Sequence, residues 1–432
     1  MRRPGGWTYG VIGLCLVVLA VVGAVVVRAV GDEGSVTLLA NWSGQDERLF
    51  RQEVIEPFEA KEHIHVLYQG SSAESQVLDA DAGAGAPPDV AVLPGPGELA
   101  DYAATGQLQP LDDLFDAADF NAPWVAKVRG PAGAGAHYYW LPIKTDLKST
   151  VWYPKGMAPE RLAAAAARPG SWCLGMVSGA TSGWPATDWI EDILLQQAGP
   201  DVYQRWAVGK LPWDDARVAH AWRTWGTLVG AGQARYVTPA LTRRYDAVSR
   251  TAVKGGAACT LEHQSSFIRT DPGWADSAQP ARSDARFTHS SALIPGPHAS
   301  RDSWEVSGDL AAMLHDTPQA RKLIRYLARS DVQARWSLSQ AGFSADHEVA
   351  RSVYAGDQVT LAAAKALDAP GTVRCYDASD AMPAVMRDAF ELAALRYLAD
   401  PSSLAHQLTT LEAVRQRRTM VWLPTVCGSG AT

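Results

Sequence analysis

From residue 35 the chain repeats one pattern: a short apolar run, a polar turn, then a longer stretch with apolar positions three and four apart. The run 35–40 predicts a buried strand, and 46–61 predicts a helix with Leu49, Phe50, Val54 and Phe58 on one face. A second strand over 65–68, a helix over 76–82 and a Gly/Ala/Pro turn over 83–88 lead into a third strand over 89–93. Strand, helix, strand at this spacing indicates parallel α/β units. A helix over 99–104 ends at Gly106, and 138–143 with 147–153 predicts a strand pair around 144–146. The Ala run 163–167 and the stretch 188–228 predict helix, the latter broken at Gly199-Pro200 and Leu211-Pro212. Strands are expected over 254–264 and 292–297, and helices over 318–329, capped by Thr317, and 332–341. Residues 352–411 read as mainly helical with an interruption around 371–383.

Ahead of this pattern lies an uncharged run from Gly10 to Val27, with Arg2 and Arg3 before it and Arg28 after it. Two readings stand side by side: a cleaved secretory signal ending near Gly31, or an uncleaved membrane anchor. Both leave Arg2 and Arg3 inside and export the chain from about Asp32. Cys15 lies within the run, and Leu14 before it fits a lipoprotein site poorly.

Composition narrows the class. The 432 residues are 47% hydrophobic, ample for a packed core of two or three lobes and unlike a disordered chain. Basic residues number 39 against 46 acidic, a net charge of -7 that argues against nucleic acid as a partner. The four cysteines after the first run, Cys173, Cys259, Cys375 and Cys427, allow three disulfide connectivities in an exported chain. We favour Cys173 with Cys259 and Cys375 with Cys427. No close cysteine pair and no ligand-spaced histidines occur, so neither a metal nor a cofactor is expected. Motifs of serine hydrolases, zinc proteases and P-loop proteins are absent, and no catalytic residue is assigned. Tryptophan is unusually frequent, 16 against 13 Tyr and 8 Phe, which suggests flat binding surfaces or a Trp-rich core.

Several segments, in order, carry a family resemblance. They are VTLLANWSGQDE (36–47) with Pro57-Phe-Glu59, PDVAVLP (88–94), GQLQPLDD (106–113) and KTDLKSTVWY (144–153). The chain resembles family 1 extracellular solute-binding proteins of ABC importers. WCLG (172–175), TSGWPATDWIED (181–192) and DASDAMP (377–383) are similar to the α-glucoside-binding branch. The stretch between Tyr153 and Trp172 departs from the family, an Ala-rich segment replacing a longer one. The resemblance implies a two-lobe periplasmic-binding-protein-like α/β fold (type II) with a hinge and an interlobe cleft. The first lobe is expected at 35–145 plus 292–340 and the second at 146–291 plus 341–432. It implies an oligosaccharide ligand of α-glucoside type, ABC permease subunits as partners, a monomer, and a place outside the cytoplasmic membrane. A membrane-anchored sugar sensor or a glycoside-processing enzyme are the alternatives.

Sugars present apolar C–H faces and a rim of hydroxyls, so tryptophan planes and carboxylates are the expected ligand groups. Trp42 directly follows the first strand, at the end where open α/β sheets place ligands. At the next helix start, Glu47 is the expected contact and Asp46 the expected cap. Trp184, Asp188 and Trp189 form the densest cluster, with Thr187 or Asp188 expected to cap their helix. Asp146 competes between the cleft and pairing with Lys144. Asp89 competes with turn capping, as do Asp377 and Asp380. Trp304 and Asp309 complete the expected ligand set, whereas His263, Trp206, Trp213, Trp222, Trp225 and Trp336 are read as structural.

Overall fold

A computed structural model of the chain describes residues 33–247, 259–269, 285–297, 302–340 and 342–429. The signal or anchor segment expected at 1–31 lies outside these residues, as do residues 254–258 of the strand expected over 254–264; of its remainder only Glu262–His263 is strand. Among the described residues no helix is long and apolar enough to cross a membrane.

The α/β units form as the periodicity requires. Strands β1 (Ser35–Ala40), β2 (His65–Gly70) and β3 (Val90–Leu93) lie parallel in the order β2-β1-β3. The first helix begins at Gln45 and ends at Glu62, with a wider turn at Arg51–Ile55 that keeps Phe50, Val54 and Phe58 buried. A small hairpin follows, β4 (Val128–Arg129) with β5 (Ala136–His137).

The strand pair expected around 144–146 does not form. Residues 144–146 contain neither Gly nor Pro, and they continue a single strand, β6 (Trp140–Leu147), buried throughout. The chain then passes Lys148 and Ser149 into β7 (Thr150–Pro154). That strand sits in a different sheet, between β8 (Glu262–His263) and β9 (Ala285–His289). The strand expected over 292–297 is also missing. Pro295 and Pro297 supply no ladder N–H, and the chain turns at Ser290–Ala292 instead.

One long strand, β10 (Ser303–Met313), joins the two halves of the fold. Its second half, Leu310 to Met313, runs antiparallel to β3, while Ser303 to Val306 pairs in parallel with β11 (Val373–Tyr376). β6 lies antiparallel along its middle, with a bulge where Asp309 faces Lys144 and Leu310 faces Pro142. Proline has no N–H to give at that point, and the break re-aims Asp309. β10 thus links β3 to β11 within one sheet, with β6 alongside it. The segment after helix Ser330–Gln340 keeps to first-lobe elements, Phe343 bonding to Thr145 and His347 to Asp119.

Five tryptophans read as structural, Trp206, Trp213, Trp222, Trp225 and Trp336, are fully buried. Four of them pack edge-on or tilted against Phe390 or Tyr397 in the second lobe. Disulfides join Cys173 to Cys259 and Cys375 to Cys427, the second tying the terminal strand β12 (Cys427–Ser429) to β11.

Candidate functional site

A cavity of about 260 Å³ opens between the lobes, at the carboxyl ends of β1 and β3 and over the middle of β6 and β10. This is where a parallel sheet with a change of strand order leaves an open crevice.

The floor comes from β6 and β10. Lys144 and Asp146 point to one side by the period of two along β6, Lys148 follows directly after the strand, and all three line the cavity. Lys144 Nζ lies 3.2 Å from Asp146 and 3.6 Å from Asp309. Asp309 also accepts from Asn41 Nδ2 at 2.8 Å, and Asp146 from Ser266 Oγ at 2.9 Å. Four residues on, Lys148 Nζ bonds Asp188 at 2.9 Å and also Asp377. Burial opposes the charge on each lysine, but the paired carboxylates outweigh it and hold both ammonium groups above the ordinary lysine range. Burial pushes Asp188 well above the usual carboxylate range, with Lys148 pulling the other way.

The second-lobe wall is built on helix Trp184–Ala198. It starts earlier than Thr187 or Asp188, at Gly183, whose φ of 118° suits glycine and whose absent Cβ would meet the Glu391 carbonyl at 2.9 Å. The early start leaves Trp184 at the first turn facing the cavity, with Asp188 one turn further on the same face. Trp184 meets Tyr245 edge-on at 4.9 Å and Phe267 at 6.0 Å, forming an aromatic wall. Lys148 lies 5.7 Å from the Trp184 ring and Lys144 5.8 Å from Phe267. Asp377 caps the short turn Ala378–Ala381 through the Asp380 N–H. Burial and the neighbouring Asp377 charge raise the Asp380 carboxyl to about 7. Glu391, on helix Ala384–Ala399, is pushed up to about 9 by burial.

The first-lobe wall comprises Asn41, Trp42, Asp46, Ser72, Glu74 and Ser75. Trp42 shows only its edge to the cavity; it is 5% exposed and packs on Phe50 at 4.8 Å and Trp336 at 4.7 Å. Burial raises Glu74 to about 7. Nearby, Arg387 reaches across from the second lobe to Glu98 at 2.8 Å, and Glu98 accepts from Ser75 at 2.8 Å.

Of the ten residues expected to meet ligand, Trp42, Asp146, Trp184, Asp188, Asp309 and Asp380 line the cavity and four do not. Glu47 bonds Arg51 Nε at 2.9 Å, one turn along its helix, while Asp46 lines the cavity in its place. Asp89 sits at the opposite end of the sheet, where it accepts from the Thr37 N–H and hydroxyl, both at 2.8 Å. Trp189 is buried, stacked on His263 at 4.3 Å and edge-on to Trp172 at 4.7 Å, with His263 bonded to Asp192 at 2.7 Å. Trp304 packs against the His289 ring at 4.1 Å. Lining residues absent from the expected set include Lys148, Tyr245, Phe267, Glu74, Arg387 and Glu391. A signal existed only for Lys148, which continues the alternation of Lys144 and Asp146 directly after β6.

The profile of the family described as bacterial extracellular solute-binding protein matches residues 41–334. The chain belongs to that family. Among relatives of this solute-binding chain is the alpha-glucosides-binding periplasmic protein AglE of Rhizobium meliloti, 31% identical over 380 residues that cover 81% of this chain and 80% of the relative. The osmoprotective compounds-binding protein GgtB of Synechocystis sp. is 28% identical over 369 residues, 82% of this chain and 85% of that one. The maltose-maltodextrin binding protein of Alicyclobacillus acidocaldarius shares the fold, with a TM-score of 0.64 at 14% identity over 89% of this chain and 100% of that one. Solute-binding membership makes this chain an extracytoplasmic receptor of an ABC importer, a binding protein rather than an enzyme, whose partners are a solute and the importer's membrane subunits.

Proposed function

We propose that the chain captures an α-glucoside-type oligosaccharide and delivers it to an ABC permease, acting as a monomer held at or released from the membrane by residues 1–31. The observation that carries this reading is the cavity's two-sided chemistry. Trp184, Tyr245 and Phe267 offer ring faces on one wall, and Asp46, Glu74, Asp146, Asp309 and Asp380 offer hydroxyl partners around it. A sugar ring has apolar faces to stack and a hydroxyl rim that must be hydrogen-bonded once buried. The alpha-glucosides-binding relative supports the same class.

The proposed ligand contacts are Trp42, Asp146, Trp184, Asp188, Asp309 and Asp380, joined by Tyr245 and Phe267. Glu47, Asp89, Trp189 and Trp304 support the surrounding framework. The proposed lobes meet where β6 and β10 cross. A ligand touching both lobes favours the closed form only by the contacts it makes there and not in the open form. Calorimetry with maltose, trehalose, sucrose and longer α-glucosides tests the reading. Binding without turnover is the expected result; no heat and no thermal shift with any of them removes the carbohydrate assignment.

A further inference from the structure

Behind the cavity floor three carboxylates from separate elements converge. Glu191 on helix Trp184–Ala198, Glu305 on β10 and Asp377 after β11 each place an oxygen within 4.8 Å of the others, and all three are buried. The backbone fixes them there: Glu305 pairs in register with Cys375 of β11, and its carbonyl accepts from the Lys148 N–H at 2.8 Å.

Protein donors satisfy only part of the cluster. Glu191 Oε2 accepts from the N–H groups of Ala378 and Ser379 at 2.5 and 3.2 Å. Asp377 Oδ1 accepts from Ser379 Oγ at 2.8 Å and the Asp380 N–H at 2.9 Å, and its other oxygen bonds Lys148. Among the described residues no donor reaches Glu191 Oε1 or either oxygen of Glu305, and both side chains are completely buried. Lys148 is already shared between Asp188 and Asp377. Buried carboxylates in excess of their cations require neutralisation. A proton shared between Glu191 and Asp377 would still leave both oxygens of Glu305 without a partner, whereas a cation serves the oxygens of Glu191 and Glu305 together.

We propose that Glu191, Glu305 and Asp377 hold a buried calcium ion. An oxygen-only donor set selects a hard cation. Calcium's adaptable coordination by several carboxylates suits a buried all-protein cage, whereas magnesium demands a near-ideal octahedron and keeps several waters. The ion would brace β10, β11 and the helix that carries Trp184 and Asp188, directly under the proposed ligand wall. With no exposed ligand atom, it enters as the second lobe folds.

The test uses the full chain, purified without chelator and assayed for metal by elemental analysis. The protein is then unfolded in EDTA and refolded with calcium, with magnesium, or with neither. Expected are near one calcium per chain and a Tm about 3 °C lower without it, restored by calcium alone. Glu305→Gln should lose the ion; should that variant fail to fold, Glu191→Gln is read for metal content in its place. No stoichiometric metal, a Tm indifferent to calcium, or a folded variant that keeps the full equivalent overturns the site. None of these readouts depends on the sugar panel, so the two proposals fail separately.

Discussion

Two buried lysines four residues apart make the same kind of centre with opposite surroundings. Around Lys144, both acceptors also have neutral donors: Ser266 serves Asp146 and Asn41 serves Asp309. Around Lys148, Asp188 and Asp377 are joined by Glu191 and Glu305, whose carboxyls burial and the neighbouring carboxylates push well above the usual range and whose oxygens include three without protein donors. The lysine centre facing the first lobe is close to self-sufficient, and the one in the second lobe is not. An ion pair in a cleft is thus not one kind of object: its worth depends on what remains when the partner is removed.

Substituting the two lysines tests that difference most severely. Lys148→Met leaves Asp188 and Asp377 buried beside two other carboxylates, and stability should fall by about 5 kcal/mol, enough to abolish folding at 37 °C. Lys144→Met leaves carboxylates that keep Asn41 and Ser266, so the loss should be nearer 3 kcal/mol. Chemical denaturation of both variants checks the order; equal losses would collapse the distinction between the centres.

The next effect separates two tryptophans on one helix. Trp189→Ala removes a buried ring stacked on His263 and should cost about 3 kcal/mol of stability. Trp184→Ala should cost little stability and weaken α-glucoside binding about tenfold, roughly one aromatic contact's worth. Thermal melts and calorimetry on the pair read both axes. A Trp184→Ala protein with unchanged affinity would move the proposed ligand away from the second-lobe wall.

These pairs also show where the sequence could be read. β1, β2 and β3 were legible because each is a short apolar run bounded by turn residues, Trp42 followed from its place at the end of the first strand, and Asp309 came from the family resemblance alone. The Trp184–Trp189 assignment missed on Trp189 because the helix starts at Gly183, several residues earlier than its apparent caps, which turns Trp189 inward. Thr145 and its neighbours looked like a break because polar residues interrupt an apolar run, yet they are the buried polar floor of the site. Tyr245, Phe267, Glu74 and Glu391 had no local signal at all. Each comes from a distant segment, and only the packing of the two lobes brings them to one cavity.

The smallest expected effect is a pH profile that divides the lobes. Glu74 and Glu391 both ionise near 4.5 when solvated, but burial holds the first to about 7 and the second to about 9 in the folded chain. Above 4.5 the unfolded chain releases these protons while the folded chain keeps them, so each group subtracts stability as pH rises from its unfolded value. The loss from Glu74 is complete near pH 7, and that from Glu391 continues to about pH 9. Between pH 7 and 8, therefore, Glu391 contributes to the slope far more than Glu74 does. Glu391→Gln should remove about 1 kcal/mol of the decline across that unit, and Glu74→Gln should change it much less and flatten the profile chiefly below pH 7. Urea midpoints at pH 5, 7, 8 and 9 decide the matter. Profiles for the two variants that run parallel to the native one throughout would mean that both carboxyls sit in water, and the unequal charge balance of the two walls would lose its titratable signature.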